Sequence, residues 1–406
     1  MKTTPLSEQP KIVLFGLRNA GKSSLINNLL NKEVAIVSDL PGTTTDPVTR
    51  SIELGALGPC AVTDVPGFDD EGKTGDMRSK KAWKVLETAD IIVFVTPSYK
   101  AFLEEEKVFL EKYKNRNLIC VLSHADKPSE KSKMEFLNAY KKISVDNLKG
   151  QGVKELKNML ISMAPNITFE ITPVQGLVRE HDLVILVTPI DLAAPKGRLI
   201  LPQVETIRDL LDHDCAVMIM KERELYYFYE NTKIKPKLVI TDSQVFSKVA
   251  ADIPTNQLMT SFSILFARKK GDLRQFVYGL RRLSELKAGD SILIMEACAH
   301  HNQADDIGRV KIPRLFRQMV NPDVEFHFAR QLPDNLQDYS LVISCGACMV
   351  TRNTLMRRLD VFKELNIAVI NYGLFLAWAN GLLPRALEPF EEEYRYFIEN
   401  YGASLA

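Results

Sequence analysis

Gly16-Leu17-Arg18-Asn19-Ala20-Gly21-Lys22-Ser23 has the spacing G-x-x-x-x-G-K-S, and these residue types in this order suit gripping a polyphosphate. The glycines let consecutive backbone N–H groups turn toward phosphate oxygens, and a helix start adds its own N–H donors. Lys22 is expected to neutralise the β- and γ-phosphates and Ser23 to ligate Mg²⁺, with Gly16, Asn19, Ala20, Gly21 and Ser24 completing the cradle. Downstream, Asp64-Val65-Pro66-Gly67 follows the apolar run CAVT. An Asp at a strand end suits Mg²⁺ through water, and the Gly67 N–H suits the γ-phosphate. Between these motifs, Pro41-Gly42-Thr43-Thr44-Thr45-Asp46 is a polar turn, in which Thr44 is the expected switch residue, ligating Mg²⁺ only when the γ-phosphate is present. Lys22, Thr44, Asp64 and Gly67 are therefore the expected catalytic set.

Base selection is written more faintly. Ser123-His124-Ala125-Asp126 closes the run NLICVL, and Asp126 can accept from guanine N1 and N2, favouring GTP and GDP over adenine nucleotides. The Asn-Lys pair that usually precedes such an Asp is absent, replaced by Ser123 and His124. Ser144-Val145 is the expected last base-contacting loop.

A second chemistry is offered by sulfur. Cys298 lies in Glu296-Ala297-Cys298-Ala299-His300-His301, and Cys345-Gly346-Ala347-Cys348 follows the run YSLVIS. Three thiolates at the carboxyl ends of apolar strands, where open α/β sheets build their sites, suit a soft metal. From spacing alone, zinc and a [4Fe–4S] cluster fit equally, each needing a fourth ligand, and a buried or redox cysteine pair is the remaining reading. Glu296, two residues before Cys298 and on the same face if the strand continues extended, is one candidate, with a helix-capping or salt-bridged carboxylate as its other reading; His300 and a water are the other candidates. Cys60, Cys120 and Cys215 sit in apolar runs and read as reduced core residues.

Positioning these groups calls for strands that end where the motifs begin. Strand-like runs alternate with helix-period segments along all 406 residues, which predicts α/β architecture with mainly parallel sheets: a P-loop GTPase domain followed by two further small parallel α/β domains. The expected boundaries are 1–168, 169–270 and 271–406. Strands are expected at 182–191, 215–221 and 237–242 in the second domain, and at SILIMEA, VEFHFA, YSLVIS and IAVINY in the third. Leu273, Phe276, Val277, Leu280 and Leu283 mark an amphipathic helix over 272–286. No catalytic constellation stands between 170 and 285, and a sheet edge there is a candidate for pairing across a two-fold axis.

Composition excludes some classes. With 52 Lys and Arg against 51 Asp and Glu, the net charge of +1 argues against a nucleic-acid partner. No apolar run is long enough to predict a membrane span, and the start MKTTPLSEQP has no signal-peptide core, so a cytoplasmic protein is expected. Arg309, Lys311, Arg314, Arg317, Arg330, Arg352, Arg357 and Arg358 crowd the segment around the cysteines. For most of them an ordinary charged helix face is expected, although a positive pocket would also attract an anionic fragment.

The nucleotide motifs resemble the translation-factor-related GTPases of the Era, Der and MnmE type, over about residues 9–165. That resemblance implies potassium activation through Asn19, and it notes Phe68 where other GTPases carry a catalytic Gln. The Cys-x-His pair, the gap and the Cys-x-x-Cys behind such a GTPase, together with LVILVTPIDLAAPKGRLILPQVETIRDLLD, resemble the HydF family of [FeFe]-hydrogenase maturation GTPases. The family implies a dimerisation domain, a [4Fe–4S] cluster on Cys298, Cys345 and Cys348, and a scaffold that receives a diiron subcluster precursor from two radical-SAM maturases. It passes that precursor to the apo-[FeFe]-hydrogenase and works as a homodimer or larger assembly. Ser344 stands where that family often has a His, which leaves Glu296, His300 or solvent as fourth ligand. The competing expectation is an RNA-associated GTPase of ribosome or tRNA maturation with a structural zinc site.

Overall fold

The computed structural model describes residues 9–30, 48–65, 82–164, 171–189, 199–296, 306–348 and 350–401. The chain forms two compact units, 1–169 and 170–406.

In the first unit a six-stranded sheet has the order β2-β3-β1-β4-β5-β6, with β1 Lys11–Gly16, β2 Val48–Glu53, β3 Pro59–Asp64, β4 Ile91–Pro97, β5 Leu118–Ser123 and β6 Lys142–Val145. Only β2 runs antiparallel, against β3. The near-continuous apolar strands follow from a sheet covered on both faces. Alternation divides β1 cleanly: Ile12 and Leu14 enter one core with Leu25, Leu29 and Leu156, while Val13 and Phe15 enter the other with Phe94, Phe109 and Leu110. Both β1 and β3 end where a chemical motif begins, at Gly16 and at Asp64.

The second unit holds two four-stranded, all-parallel sheets. One has the order β10-β9-β7-β8, with β7 Leu183–Val187, β8 Ala216–Met220, β9 Leu238–Thr241 and β10 Met259–Ser261. The other has the order β12-β11-β13-β14, with β11 Ser291–Met295, β12 Glu325–Ala329, β13 Leu341–Ser344 and β14 Ala368–Asn371. A single hydrophobic core runs from Val174 to Tyr401 through both. The helix Phe262–Lys270 accounts for that continuity. Phe262, Ile264, Leu265, Phe266, Ala267, Lys269 and Lys270 are all buried, and it packs on the helices Leu201–Asp212, Arg352–Glu364 and Tyr372–Ala379. Its first two turns carry the apolar residues that fill the core, and Lys269 and Lys270 of its last turn are buried as well, Lys269 in an ion pair with Glu205 at 2.6 Å.

The strands expected in the second and third domains are present and shorter at their ends, while β2, β4, β6 and β10 are not among those read from the sequence. The helix expected over 272–286 is an α-helix over Leu273–Gly279 that tightens to a 3₁₀ turn over Leu280–Ser284. Among the described residues no helix is long and apolar enough to cross a membrane.

Candidate functional site

The phosphate loop leaves β1 through Gly16 at φ +148° and enters the helix Lys22–Leu30 through Gly21 at φ +90°. A Cβ on Gly16 would lie 1.9 Å from the Val95 carbonyl oxygen, so the loop approaches β4 as only glycine can. Asn19, exposed at the loop tip, adopts φ +57°. The Lys22 ammonium is buried and donates to the Gly16 and Leu17 carbonyls at 3.0 and 2.8 Å, which folds it over the loop. The Ser23 hydroxyl donates to Asp64 Oδ2 at 2.7 Å. Asp64 Oδ1 is buried with no hydrogen-bond partner among the described residues. A hydroxyl beside a half-satisfied carboxylate, next to backbone donors, is a donor set that fits hydrated Mg²⁺ on a phosphate. Ala20 is buried behind the loop, and Ser24 is exposed on the first helical turn. Thr44 and Gly67 lie outside the described residues.

Two loops meet beside this cradle. Ala125 N–H donates to the Val145 carbonyl at 3.3 Å, tying the Asp126 loop to the end of β6, where Ser144 and Val145 lie in the strand rather than in the expected loop. Asp126 and Ser144 are exposed. His124 takes φ +58°; its carbonyl accepts from the Ser98 hydroxyl at 2.9 Å, and its ring meets Tyr99 edge-on at 5.6 Å. Below them Lys133, fully buried, donates to Thr96 Oγ1 at 2.7 Å and to the Pro97 carbonyl at 3.0 Å, while Thr96 donates to the buried Glu106. Burial lowers the Lys133 pKa. The sequence motifs did not point to Asn147, whose amide donates to the Gly21 carbonyl at 3.1 Å. Its only sequence signal is an Asn after an Asp in a polar loop.

At the carboxyl ends of β11 and β13 lies the sulfur site. Cys345 and Cys348 are half-buried in the loop after β13, which turns through Ala347 at φ +53°. Cys345 N–H donates to the Met295 carbonyl at 3.0 Å, holding this loop beside the end of β11. A soft-metal site fits two half-buried thiols held there. Cys298 and His300 lie outside the described residues, and among the described residues no group of three metal-ligating side chains is present.

Glu296 stands just beyond the end of its strand, and the residues that link it to Cys298 lie outside the described residues. β11 ends at Met295, and Glu296 N–H makes the last sheet bond, to Ala329. Its Oε2 is engaged by Arg309 Nη2 at 3.1 Å, a bond that raises the arginine's pKa. Arg309 reaches it from a π-helical turn, Ile307–Lys311, an irregularity frequent at functional sites. Gly308 permits the approach, since a Cβ there would lie 2.3 Å from the Tyr372 hydroxyl. Several of the neighbouring cations have structural work. Arg352 donates to the Lys269 and Gly271 carbonyls at 2.7 and 3.0 Å, Arg358 to the Arg330 carbonyl at 2.9 Å and Lys311 to Gln244 at 2.9 Å, while Arg317 stacks on Phe326 at 5.1 Å. The remaining cysteines, Cys60, Cys120 and Cys215, are buried free thiols.

Comparison with known proteins follows this division. Residues 11–124 match the family model described as a 50S ribosome-binding GTPase. Residues 174–271 match the hydrogen maturase F dimerization domain, and residues 274–389 the hydrogen maturase F tetramerization domain. The tRNA modification GTPase MnmE of Moorella thermoacetica is 34% identical over 161 residues, 37% of this chain and 34% of that protein. MnmE of Thermosipho melanesiensis is 32% identical over 170 residues, 41% of this chain and 37% of that protein. The chain thus spans about a third of the length of these curated relatives. Among solved structures, Era in complex with MgGDPNP and nucleotides 1506-1542 of 16S ribosomal RNA has 24% identity and a TM-score of 0.32, covering 38% of this chain and 56% of that one. The G domain of the T. maritima FeoB iron transporter has 21% identity and a TM-score of 0.30, covering 38% of this chain and 98% of that one. With a GTPase domain ahead of two consecutive domains that carry the hydrogen maturase F name, the chain belongs to the hydrogen maturase F family.

Proposed function

We propose that this chain is a GTP-hydrolysing scaffold and carrier in [FeFe]-hydrogenase maturation. It binds a [4Fe–4S] cluster and a diiron subcluster precursor and delivers the precursor to the apo-hydrogenase. The observation that carries the reading is the order of parts: the Ser23–Asp64 phosphate site, then the hydrogen maturase F dimerization and tetramerization domains, with Cys345 and Cys348 inside the last. The working division is 1–168 for the nucleotide, 169–270 for dimerisation and 271–406 for the cluster.

In the hydrolytic step a water oxygen bonds to the γ-phosphorus as the bond to the β–γ bridging oxygen breaks, leaving GDP and inorganic phosphate. Lys22 offsets the charge that grows on the phosphate oxygens, and Ser23, Thr44 and Asp64 hold Mg²⁺ directly or through water. Gly67 N–H meets the γ-phosphate, Asp126 and Ser144 serve the guanine, and Asn19 at the loop tip holds K⁺ against the phosphates. Cys298, Cys345 and Cys348 hold the cluster, which supplies an exchangeable iron position. Glu296, His300 and water stand as candidates for that position. The partners are two radical-SAM maturases, the apo-hydrogenase and further copies of this chain, in the cytoplasm.

Self-association has a candidate surface. β8 is an edge strand on which Ala216 and Ile219 are exposed, and the next helix, Leu225–Asn231, exposes Tyr226, Tyr227 and Phe228. An unpaired edge beside exposed aromatics suits pairing with a second copy.

The test is anaerobic reconstitution with iron and sulfide. The wild type should give a reduced [4Fe–4S] EPR signal that Cys345→Ser abolishes, and GTP turnover should be faster in K⁺ than in Na⁺. A colourless protein that retains zinc would leave only the nucleotide half standing.

A further inference from the structure

We propose that Asn147 is the positioning residue that locks the phosphate loop to the base-reading loops. The proposal rests on the nucleotide reading given above. Ser123, at the end of β5, does not make this link: its hydroxyl is spent on the Thr96 carbonyl at 3.3 Å and on His124 Nδ1 at 3.0 Å, inside the fold. Asn147 makes it instead, from the loop after β6. Its Nδ2 donates to the Gly21 carbonyl at 3.1 Å. Asn28, on the helix that follows the phosphate loop, donates back to the Asn147 carbonyl at 2.8 Å and to Asn147 Oδ1 at 3.4 Å. The three residues therefore close a ring across the phosphate loop, its helix and the last base loop.

The Gly21 carbonyl is the sensitive place to hold. It already accepts the Leu25 N–H at 2.9 Å as the first bond of the helix. The Gly21–Lys22 peptide is planar, so fixing its oxygen on two donors fixes the direction of the Lys22 N–H on the other side. That N–H is one of the donors a phosphate needs. The fit is close, since a Cβ on Gly21 would lie 2.8 Å from Asn147 Nδ2. The Asn147 side is rigid as well. Asp146, buried beside it, accepts from the Leu148 and Lys149 N–H groups at 2.9 and 3.2 Å, and its own N–H donates to the Gln151 carbonyl at 3.0 Å. Asn147 thus acts on phosphates through the peptide it holds, without touching the base.

The experiment uses the full chain with fluorescent GDP and IDP analogues, comparing wild type with Asn147→Asp, Asn147→Ala and Asn28→Ala. The Ala variant removes the donor, and the Asp variant keeps the shape while replacing the donor with a charged acceptor. Both Asn147 variants are expected to release GDP about three- to tenfold faster, the scale of one lost hydrogen bond, with a smaller effect for Asn28→Ala. KM for GTP should rise while kcat at saturation stays within twofold, and the GDP-to-IDP preference should not change. Unchanged release in a wild type that binds nucleotide overturns the proposal, as does a changed GDP-to-IDP ratio, which would make Asn147 a base contact. Should the Asn147 variants not fold, Asn28→Ala carries the same test. A wild type that binds no guanine nucleotide overturns the nucleotide reading instead.

Discussion

The Ser23 hydroxyl and Asp64 Oδ2 meet at 2.7 Å, joining the first turn of the phosphate-loop helix to the end of β3, residues 41 apart in sequence. The second carboxylate oxygen of Asp64 is buried with no partner among the described residues, so the pair is pre-set to share a hydrated cation. Ser23→Ala and Asp64→Ala are each expected to weaken Mg²⁺-dependent binding of a GTP analogue by about tenfold or more, as loss of a contact to a charged group does. Titration with and without a chelator checks this: the loss should vanish when Mg²⁺ is absent from both proteins.

Gly16 faces a harder constraint than its motif alone conveys. Any side chain there must enter the Val95 carbonyl and hold φ +148°. Gly16→Ala is expected to cost about 2–4 kcal/mol of stability, as backbone strain added to a steric clash does. Chemical denaturation followed by the first unit's Trp83 fluorescence reads it.

Burial pushes the thiols of Cys60 and Cys120 up to about 12 from an ordinary 9.0, with the carboxylates of Glu53 and Asp90 adding to the effect at Cys60. Both should stay protonated and resist alkylation in the native protein at pH 8, and react once unfolded. The linkage has a definite sign. The folded state keeps these protons where the unfolded chain has lost them, so their contribution is complete below pH 9 and declines as pH rises from 9 toward 12. Denaturation midpoints across that window test it.

Arg309 holds Glu296 at 3.1 Å. With that partner in place, Glu296→Gln is expected to leave the EPR spectrum of the reduced reconstituted protein unchanged. A shifted spectrum would mean that the carboxylate leaves Arg309 for iron.

On β8, Ile219 is 46% exposed on an edge strand. Ile219→Lys places a charge where a second copy is expected to pair, and edge charges oppose pairing. Light scattering should show a shift toward monomer with an unchanged circular dichroism spectrum.

Legibility in the sequence tracked how local each feature is. The phosphate loop could be read because its glycines, Lys22 and Ser23 lie within eight consecutive residues between a strand and a helix. Alternating strands and helices announced the sheets, because strands covered on both faces must be apolar throughout. Cys60, Cys120 and Cys215 could be assigned to the core from their apolar runs. The ring of Gly21, Asn28 and Asn147 could not be read: its members are brought together by the sheet, and no spacing encodes it. Glu296 shows the same limit: nothing in its spacing encodes Arg309, which the π-helical turn Ile307–Lys311 brings to its carboxylate just beyond the end of β11.

The buried helix Phe262–Lys270 joins the two halves of the second unit through one continuous core. Its last turn is held by Arg352, four residues beyond Cys348, and by the Lys269–Glu205 ion pair at 2.6 Å. β8 and the cysteine loop therefore belong to one compact unit with a shared core. An assembly built through β8 would carry its sulfur sites in the same body that makes the contact, rather than on separate arms.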